Sequence, residues 1–442
     1  MLLAACFRLL FPAYGRTAAK PHGTPRRPKC RLHLEVLEDR RCPSGGYLLV
    51  TDYDTDSVLR YQGSTGAFVD TFIPHRTGGL YEPFGVVFGP HDHNLYVSSG
   101  QFSSQDQPKV KGVLRYHGTT GAFIDEFTES GHLTSPRGII FGPDGNLYVA
   151  DGNGPAGSVV RYNGTTGAFM GDFVAAGSGG LFHPAGLVFG RSVENPAKLD
   201  LYVAHSRGSV LRYDGTTGGF LGEFVAIGSG GLDKPTGLSF GPSGDLYVVS
   251  SHFLDKTSAE AAVLRFQGPS GKTPGAFIGT FVAPGSGGLL TPFGLLFGPD
   301  GSGDGQQDLY VTSVKLTSYK GNEHTSTVKR YDGVSGAFID TFVTANSGGL
   351  DQPSFMTFTE TDPVTLAFTE GRLTAASPAP HVVKKMLDAG KVQPLLTEAI
   401  ARWQAAAVDI SSLRGIDLRI ADLGGTTLGL ASGHTIWLDD NA

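Results

Sequence analysis

Cysteine is nearly absent from this chain, because its three cysteines, Cys6, Cys30 and Cys42, all lie within the first 46 of 442 residues. The rest has no thiol and tolerates either redox compartment, so cysteine usage does not place the protein. Tryptophan (2 residues) and charged residues (17%) are also scarce, whereas glycine (64) and phenylalanine (28) are abundant. This composition disfavours long amphipathic helices and predicts an all-β class of short apolar strands joined by tight turns.

Two further deficits exclude classes of partner. The apolar run at residues 1–11 is interrupted by Arg8 and is shorter than the roughly 20 residues that span a bilayer. Residues 1–46 hold nine Lys or Arg and three acidic residues, which leaves a net charge of −12 for the rest of a chain that carries −6 overall. We therefore expect no transmembrane span and no nucleic-acid partner, because phosphate contacts need clustered cations.

The chain does contain a repeat, which organises most of its length. An Arg-Tyr or Arg-Phe pair recurs at intervals of 46 to 65 residues. A period of this length indicates an architecture with one supersecondary unit per copy. The six copies begin at Arg60, Arg115, Arg161, Arg212, Arg265 and Arg330.

Each copy divides into four strand-like segments of four to eight residues. They are exemplified by PTGLSFG at 235–241, LYVV at 246–249, SVLRY at 209–213 and GGFLGEFV at 218–225. Turn sequences such as GPDG at 142–145 and DGTTG at 214–218 separate them. Four antiparallel strands joined by tight turns form one propeller blade.

The ends of the array predict how the ring closes. The repeat opens at Tyr47 with the second, third and fourth segments and ends at Pro353 with a first segment alone. Six complete blades result only if the last strand joins the opening three, a 3+1 closure that also removes open sheet edges. We predict a disordered basic leader at 1–46, a six-bladed β-propeller at 47–371 and a small α+β tail at 372–442.

Residues 136–151, PRGIIFGPDGNLYVAD, resemble the NHL-repeat class of propellers, and more distantly regucalcin-like gluconolactonases and virginiamycin B lyase. The resemblance covers about residues 47–360 and implies the propeller fold. It implies no single function, because this architecture hosts lactonases, lyases and binding proteins.

Both ends of the chain carry separate resemblances. LEVLEDRRCPS at 34–44 resembles a segment that opens many exported bacterial proteins, which implies an extracytoplasmic location. The tail, with a predicted helix at 394–408 and strands at 418–423, 426–430 and 435–438, resembles the opening of a metalloprotease-like module. The His-Glu-x-x-His motif that would bind zinc in such a module does not occur in the sequence, so we expect no protease activity. The tail is either a small unit that folds by itself or a truncated remnant.

We place any site on the face of the ring that carries the long loops at 101–111, 251–262 and 315–327. The residue that ends the second segment differs between blades and is expected to point toward the channel mouth. These rim residues either form a polar ring for a small ligand or cation, or cap backbone N–H groups at strand ends. The six are Asp52, Ser99, Asp151, His205, Ser250 and Ser313.

The rim also bears on catalysis. His205 is its one candidate general base near neutral pH, and we otherwise expect no catalytic residue, metal site or cofactor. A lactonase would need Glu, Asn and Asp around a divalent cation such as calcium, and the rim offers only Asp52 and Asp151. A lyase would need paired histidines, which only His205, with His183 and His252 in neighbouring loops, could supply.

The repeated Arg-Tyr pair is expected to be scaffold, with Tyr between blades and Arg bonded to neighbouring carbonyls. The sequence thus favours a non-enzymatic, extracytoplasmic and monomeric propeller that binds a protein, glycan or small ligand. A lactonase-like or lyase-like enzyme that uses the same rim is the alternative.

Overall fold

The computed structural model describes residues 46–100, 111–152, 156–251, 260–315 and 325–359, with the backbone of four strands between 371 and 439. The chain separates into two compact units, one of which spans Arg40–Val364 and the other of which includes Thr365–Ala442. Within the described residues the regular elements are β-strands and short 3-10 turns. No helix in this part of the chain is long and apolar enough to cross a membrane.

The first unit contains six four-stranded antiparallel sheets, which confirms the predicted six-bladed, all-β fold. The strands of blade 1 from the start of the chain are β1 (Tyr47–Asp52), β2 (Ser57–Gln62) and β3 (Phe68–Ile73). Blades 2 and 3 comprise β4 (Val86–Phe88), β5 (Leu95–Ser99), β6 (Gly112–Tyr116), β7 (Phe123–Glu126), β8 (Pro136–Phe141), β9 (Leu147–Asp151), β10 (Ser158–Tyr162) and β11 (Phe169–Val174).

The later blades follow the same plan from inner to outer strand. Blades 4 and 5 comprise β12 (Pro184–Arg191), β13 (Leu199–His205), β14 (Ser209–Asp214), β15 (Phe220–Val225), β16 (Pro235–Phe240), β17 (Leu246–Ser250), β18 (Ala262–Phe266) and β19 (Phe277–Val282). Blade 6 and the closing strand comprise β20 (Thr291–Gly298), β21 (Asp308–Val314), β22 (Thr327–Tyr331), β23 (Phe338–Val343) and β24 (Pro353–Phe358).

The ring closes as expected, because β24 pairs with β1 to complete blade 1. Leu48 lies opposite Phe358 and Val50 opposite Met356 in this antiparallel pair. The first strand of each blade contacts the first strands of both neighbours, so β4, β8, β12, β16, β20 and β24 form the inner wall. The N-terminal and C-terminal ends of the repeat therefore hold each other in one sheet, without an open edge at the seam.

An aromatic sandwich fills the space between blades. In blade 2, the ring of Tyr96 makes edge contacts with Phe127 at 4.8 Å and with Phe141 of blade 3 at 5.0 Å between centroids. Equivalent Tyr-Phe-Phe groups recur after blades 3 to 6. Blade 1 has Leu49 at the corresponding position, which matches the weaker sequence of its second strand. Edge-to-face aromatic pairs add about 0.5–1.5 kcal/mol each beyond burial.

The Tyr of the Arg-Tyr pair joins neighbouring blades, as predicted. The hydroxyl of Tyr213 donates to the carbonyl oxygen of Ser178 in the preceding blade at 2.8 Å, and Tyr331 donates to Ser286 at 2.9 Å. Both acceptors lie in a Ser-Gly-Gly turn of 3-10 geometry. These turns follow the outer strand of a blade, so each Tyr reaches from its own third strand to the loop of its neighbour.

The prediction that these Arg side chains bond to carbonyl groups was wrong for five of the six, because the structure pairs them with carboxylates. The five are Arg60, Arg115, Arg212, Arg265 and Arg330. Arg115 donates to Asp125 of the adjacent fourth strand at 2.6 Å, and Arg330 donates to Asp340 at 3.2 Å through Nε. In each case the two residues are directly opposite in the antiparallel register. The pairs are partly exposed, so each adds at most about 1 kcal/mol to stability.

The second unit contains a separate four-stranded sheet of β25 (Gly371–Thr374), β26 (Asp417–Ala421), β27 (Thr427–Ser432) and β28 (Thr435–Asp439), in the order β25-β27-β28-β26. Its last three strands confirm the strands expected in the tail, and β26 pairs with β28 in parallel. The first strand begins at residue 371, the last residue of the expected propeller segment. The predicted helix at 394–408 and residues 1–45 of the leader lie outside the described residues.

The Ser-Gly-Gly turns also require glycine for steric reasons. Gly230 has φ of 63°, and a Cβ there would lie 2.2 Å from the ring of Phe277 in the next blade. Gly231 has φ of 85° with nothing within 4 Å of a Cβ. Both positions favour glycine by backbone conformation, but only Gly230 is also needed for contact between blades.

We expect Gly230→Ala to lower the free energy of unfolding more than Gly231→Ala does. Both substitutions place alanine at positive φ, which costs about 1–2 kcal/mol. Gly230→Ala must also displace Phe277, which adds about 1–3 kcal/mol. Chemical denaturation of the two variants measures the difference, and equal losses would show that the Phe277 contact does not stabilise the ring.

Candidate ligand site at the channel mouth

The inner wall carries a Pro-x-Gly sequence near the start of the first strand in five blades, and Pro-Ser-Phe in blade 1. The glycines allow the inner strands to approach closely. A Cβ on Gly138 would lie 2.3 Å from the carbonyl oxygen of Ala185, and one on Gly186 would lie 2.4 Å from that of Thr236. The same contact recurs from Gly85, Gly237 and Gly294. Each glycine thus packs against the residue that follows the proline in the next blade. We call this residue, which stands between Pro and Gly in five blades, the x residue.

A β-bulge near these glycines decides which side chain faces the channel. Pro184 pairs with His205 and Leu187 pairs with Val203. Between these two pairs the chain moves three residues along β12 but only two along β13, so β12 contains one extra residue. The same register shift occurs between Pro136 and Ile139 in blade 3. It recurs in blades 5 and 6. An extra residue changes the alternation of side chains beyond it and re-aims the intervening residue.

The x residues line a cavity of about 180 Å³ in the centre of the ring. Tyr53 and Val314, which follow or end second strands, also line it, so it opens on the face where those strands end. Gln352 and Pro353 complete the wall. The x residues, one from each of blades 2 to 6 and then blade 1, are Phe84, Arg137, Ala185, Thr236, Phe293 and Ser354.

Arg137 is the charged residue of this lining. It is 7% exposed, and burial lowers its pKa to about 10 although the charge of Asp151 acts in the opposite direction. The guanidinium therefore remains protonated at neutral pH inside a largely apolar wall. Its main chain is also fixed, because its carbonyl oxygen accepts a hydrogen bond from Ser98 Oγ at 2.7 Å.

The six predicted rim residues lie at the ends of second strands, one strand outside the inner wall, and the lining of this cavity does not include them. All are buried, with exposures of 0% to 7%. The oxygens of Ser99, Ser250 and Ser313 each accept a hydrogen bond from a backbone N–H at 3.0 Å. Those N–H groups, from Tyr81, Asp233 and Leu290, belong to the segment that leads into the inner strand.

The two rim aspartates have the same kind of partner. Asp52 accepts from the N–H groups of Asp351 and Gln352 at 2.6 and 3.2 Å, and burial raises its pKa to about 6. Asp151 accepts from the N–H of Ser135 at 2.6 Å and from Thr134. The rim residues thus position the segments that carry the channel residues. A direct ligand role for them stays a prediction.

The rim histidine is poorly placed for proton transfer to a ligand in the cavity. His205 is 2% exposed, and its Nε2 lies 2.6 Å from Ser209 Oγ of the adjacent strand. Burial, assisted by the charge of Arg207, lowers its pKa to about 4. Near pH 7 the ring is therefore neutral, and its basicity is far below that of a general base suited to this pH.

Few of the described residues suit the paired histidines of a lyase or the metal ligands of a lactonase. Burial and the nearby Arg137 lower the pKa of His183, whereas His252 lies outside the described residues. Most of the long loops at 101–111, 251–262 and 315–327 also lie outside the described residues. Among the described residues there is no group of three or more His, Cys, Asp or Glu side chains that could hold a metal ion.

Sequence reasoning missed the channel residues, although a signal for them was present. Pro and Gly recur on either side of x, and x itself changes from blade to blade. A position that varies between repeats while its neighbours stay constant is a candidate for ligand binding. The same criterion led to the residues at the ends of the second strands. It selects the correct position only when the bulge in the inner strand is known.

No protein-family model and no curated protein matches this chain. Among solved structures, a protein of unknown function from Bacteroides caccae is 14% identical with a TM-score of 0.50, and covers 71% of this chain and 99% of its own. A chain of a nidogen/laminin complex is 17% identical with a TM-score of 0.49 (71% and 98% covered). A gluconolactonase from Xanthomonas campestris is 18% identical with a TM-score of 0.41 (60% and 79% covered). The similarity to the Bacteroides caccae protein shows a common fold and nothing more.

Because the pKa of His205 is lower in the folded chain than its ordinary value of 6.5, the unfolded state binds the extra proton between about pH 6.5 and 4. The stabilisation is complete above pH 6.5 and is lost as the pH falls toward 4. We expect His205→Gln to remove up to about 3 kcal/mol of this pH dependence.

Denaturation of both proteins across this range isolates the contribution of His205, because the opposite effect of Asp52 is common to both. His91→Gln, at an exposed position, is the matched control for the loss of an imidazole. An identical acid slope in His205→Gln and the parent would contradict a neutral, buried His205.

Proposed function

We propose that this protein is a non-enzymatic binding propeller that takes a small ligand in the central channel, at the face where the second strands end. The observation that carries this proposal is the ring of x residues. Equivalent positions of the six inner strands present five different types of side chain to one cavity, with Phe in both blade 2 and blade 6. Concave sites with few polar groups on rigid elements are typical of ligand pockets.

The chemistry of the lining favours binding over catalysis. Among the described residues that line the cavity, the only charged side chain is Arg137, and none is His, Cys, Asp or Glu. Side chains of those types supply most nucleophiles and general bases. Thr236, which has a hydroxyl, donates it to the carbonyl oxygen of Phe293 at 2.7 Å. The lactonase-like or lyase-like alternative would have to recruit groups from elsewhere on the same face.

The scaffold around the cavity supports a preformed site. Thr51 Oγ1 lies 2.8 and 2.9 Å from the carbonyl oxygens of Phe84 and Phe355, so its hydroxyl can donate to either one, and this contact links blade 1 to blade 2 beside the channel. Thr312 Oγ1 donates to the carbonyl oxygen of Ser354 at 3.1 Å on the other side of blade 1. A site held by such bonds needs little ordering when a ligand binds, which favours affinity.

A panel of neutral, anionic and cationic organic compounds tests the proposal by thermal unfolding of the full chain. We expect at least one compound class to raise the Tm, because a ligand at 100 times its Kd stabilises the folded state by about 2.7 kcal/mol. Ala185→Leu should abolish the shift by filling the cavity. Ala122→Leu, in an exposed tight turn, is the control of equal volume and should keep it.

Two results would count against this function. If no compound shifts the Tm of the parent, or if Ala185→Leu responds as the parent does, the channel is not the binding site. Turnover of lactones that requires a divalent cation and is lost in Ala185→Leu would favour the enzymatic alternative.

We also propose that the protein acts outside the cytoplasm, on the resemblance of residues 34–44 to the leader segment of exported bacterial proteins. Expression in a bacterial host with N-terminal sequencing of the exported fraction tests this. We expect a mature chain that begins before Tyr47, since that residue starts the first strand. Retention of the whole chain in the cytoplasm would contradict export.

A further inference from the structure

The channel mouth has two chemically different sides. Phe84 and Phe293, from blades 2 and 6, face each other at a centroid distance of 6.4 Å with perpendicular rings. Phe355 of blade 1 supports Phe84 at 4.9 Å. Blades 3, 4 and 5 contribute Arg137, Ala185 and Thr236 instead. In a ring of six, blade 3 lies opposite blade 6, so the guanidinium and the ring of Phe293 come from opposite sides of the cavity.

The electrostatics of the wall favour an anion. Asp151 is the carboxylate whose charge acts on Arg137, and its oxygens also accept hydrogen bonds from the main-chain N–H groups of Thr134 and Ser135. Burial still outweighs Asp151, because the pKa of Arg137 stays below its ordinary value. A second negative charge next to the guanidinium would therefore be stabilised by it, more strongly in this enclosed wall than in water.

The number of charges selects the class of anion. Arg137 is the only charged side chain among the described residues of the lining, and Asp151 already acts on it, so a dianion such as a phosphate monoester would leave its second charge in an apolar cavity at high cost. The planar fork of Arg matches a carboxylate with two parallel hydrogen bonds. Phe293 on the opposite side and Phe84 on the adjacent blade provide apolar contact for the rest of the ligand.

We propose that the channel mouth binds a monoanionic carboxylate with an aromatic or apolar body, the carboxylate at Arg137 and the body against Phe84 and Phe293. This ligand class rests on the proposed function of the same cavity. It assigns a ligand-binding role to Arg137, which the rim residues identified from the sequence do not include.

Titration calorimetry with benzoate and its neutral, planar analogue benzamide tests the proposal on the full chain. We expect the parent to bind benzoate at least about tenfold more tightly, the effect of one charge-assisted hydrogen bond. Arg137→Gln should remove that preference and leave the Kd for benzamide unchanged. Arg191→Gln, with the same charge change on an exposed residue of an inner strand, is the matched control.

A second variant keeps the test valid if Arg137→Gln fails to fold. Phe293→Ala should weaken benzoate and benzamide by the same factor, because it removes apolar contact and leaves the guanidinium in place. Unequal weakening that spares benzamide would contradict the assigned orientation. Tm values of all variants establish that they are folded.

The outcomes separate this inference from the function on which it rests. Equal affinity for benzoate and benzamide, or unchanged benzoate binding in Arg137→Gln, would overturn it while small-ligand binding stands. Tighter binding of inorganic phosphate than of benzoate would overturn the choice of a carboxylate. Binding by other compounds of the panel but by neither aromatic probe would overturn it as well. Failure of every compound to bind would refute the proposed function itself.

Discussion

The close approach of neighbouring blades is the constraint on which the rest of the structure depends. Along the inner wall it is made by a glycine that packs on the carbonyl oxygen of the next blade, as between Gly138 and Ala185. At the perimeter it is made by the middle glycine of a Ser-Gly-Gly turn under a phenylalanine ring, as between Gly230 and Phe277. Aromatic sandwiches such as that of Tyr202 with Phe224 and Phe240 fill the space between. Neighbouring blades are thus in contact at the inner wall, at the perimeter and between the two, which leaves little freedom for the channel to change shape.

This rigidity separates scaffold from site. Residues that recur in most blades make contacts between blades. They include the Tyr of the third strand, the Gly of the Pro-x-Gly sequence and the middle Gly of the Ser-Gly-Gly turn. Residues that differ at equivalent positions face the channel or support the residues that do. The single charge of Arg137 is consequently held in a fixed place, with the aromatic rings of Phe84 and Phe293 in the same cavity. Substitution at these few positions can therefore change the chemical character of the cavity without altering the fold. Many folds that host several functions differ in this way.

The predicted rim shows how far local reasoning reached toward the site. The ends of the second strands were expected to point toward the channel mouth, but the lining of the cavity does not include them. Asp52, Asp151 and the three serines, however, use their oxygens on backbone N–H groups of their own blade. His205 is buried against Ser209, and its lowered pKa removes the property for which it was singled out. Their contribution is to hold the segments from which the channel residues project.

The sequence by itself determined the number of blades, the four strands of each and the 3+1 closure. These features depend on local turn chemistry and on a pattern repeated six times, both of which are visible along the chain. Only the tertiary structure decided which residue of each blade meets the cavity. One extra residue between Pro184 and Leu187, and at the same place in other blades, changes the alternation of the inner strand. Such a bulge depends on pairing with the neighbouring strand, so strand periodicity alone does not predict that Arg137, rather than Asp151, lines the channel.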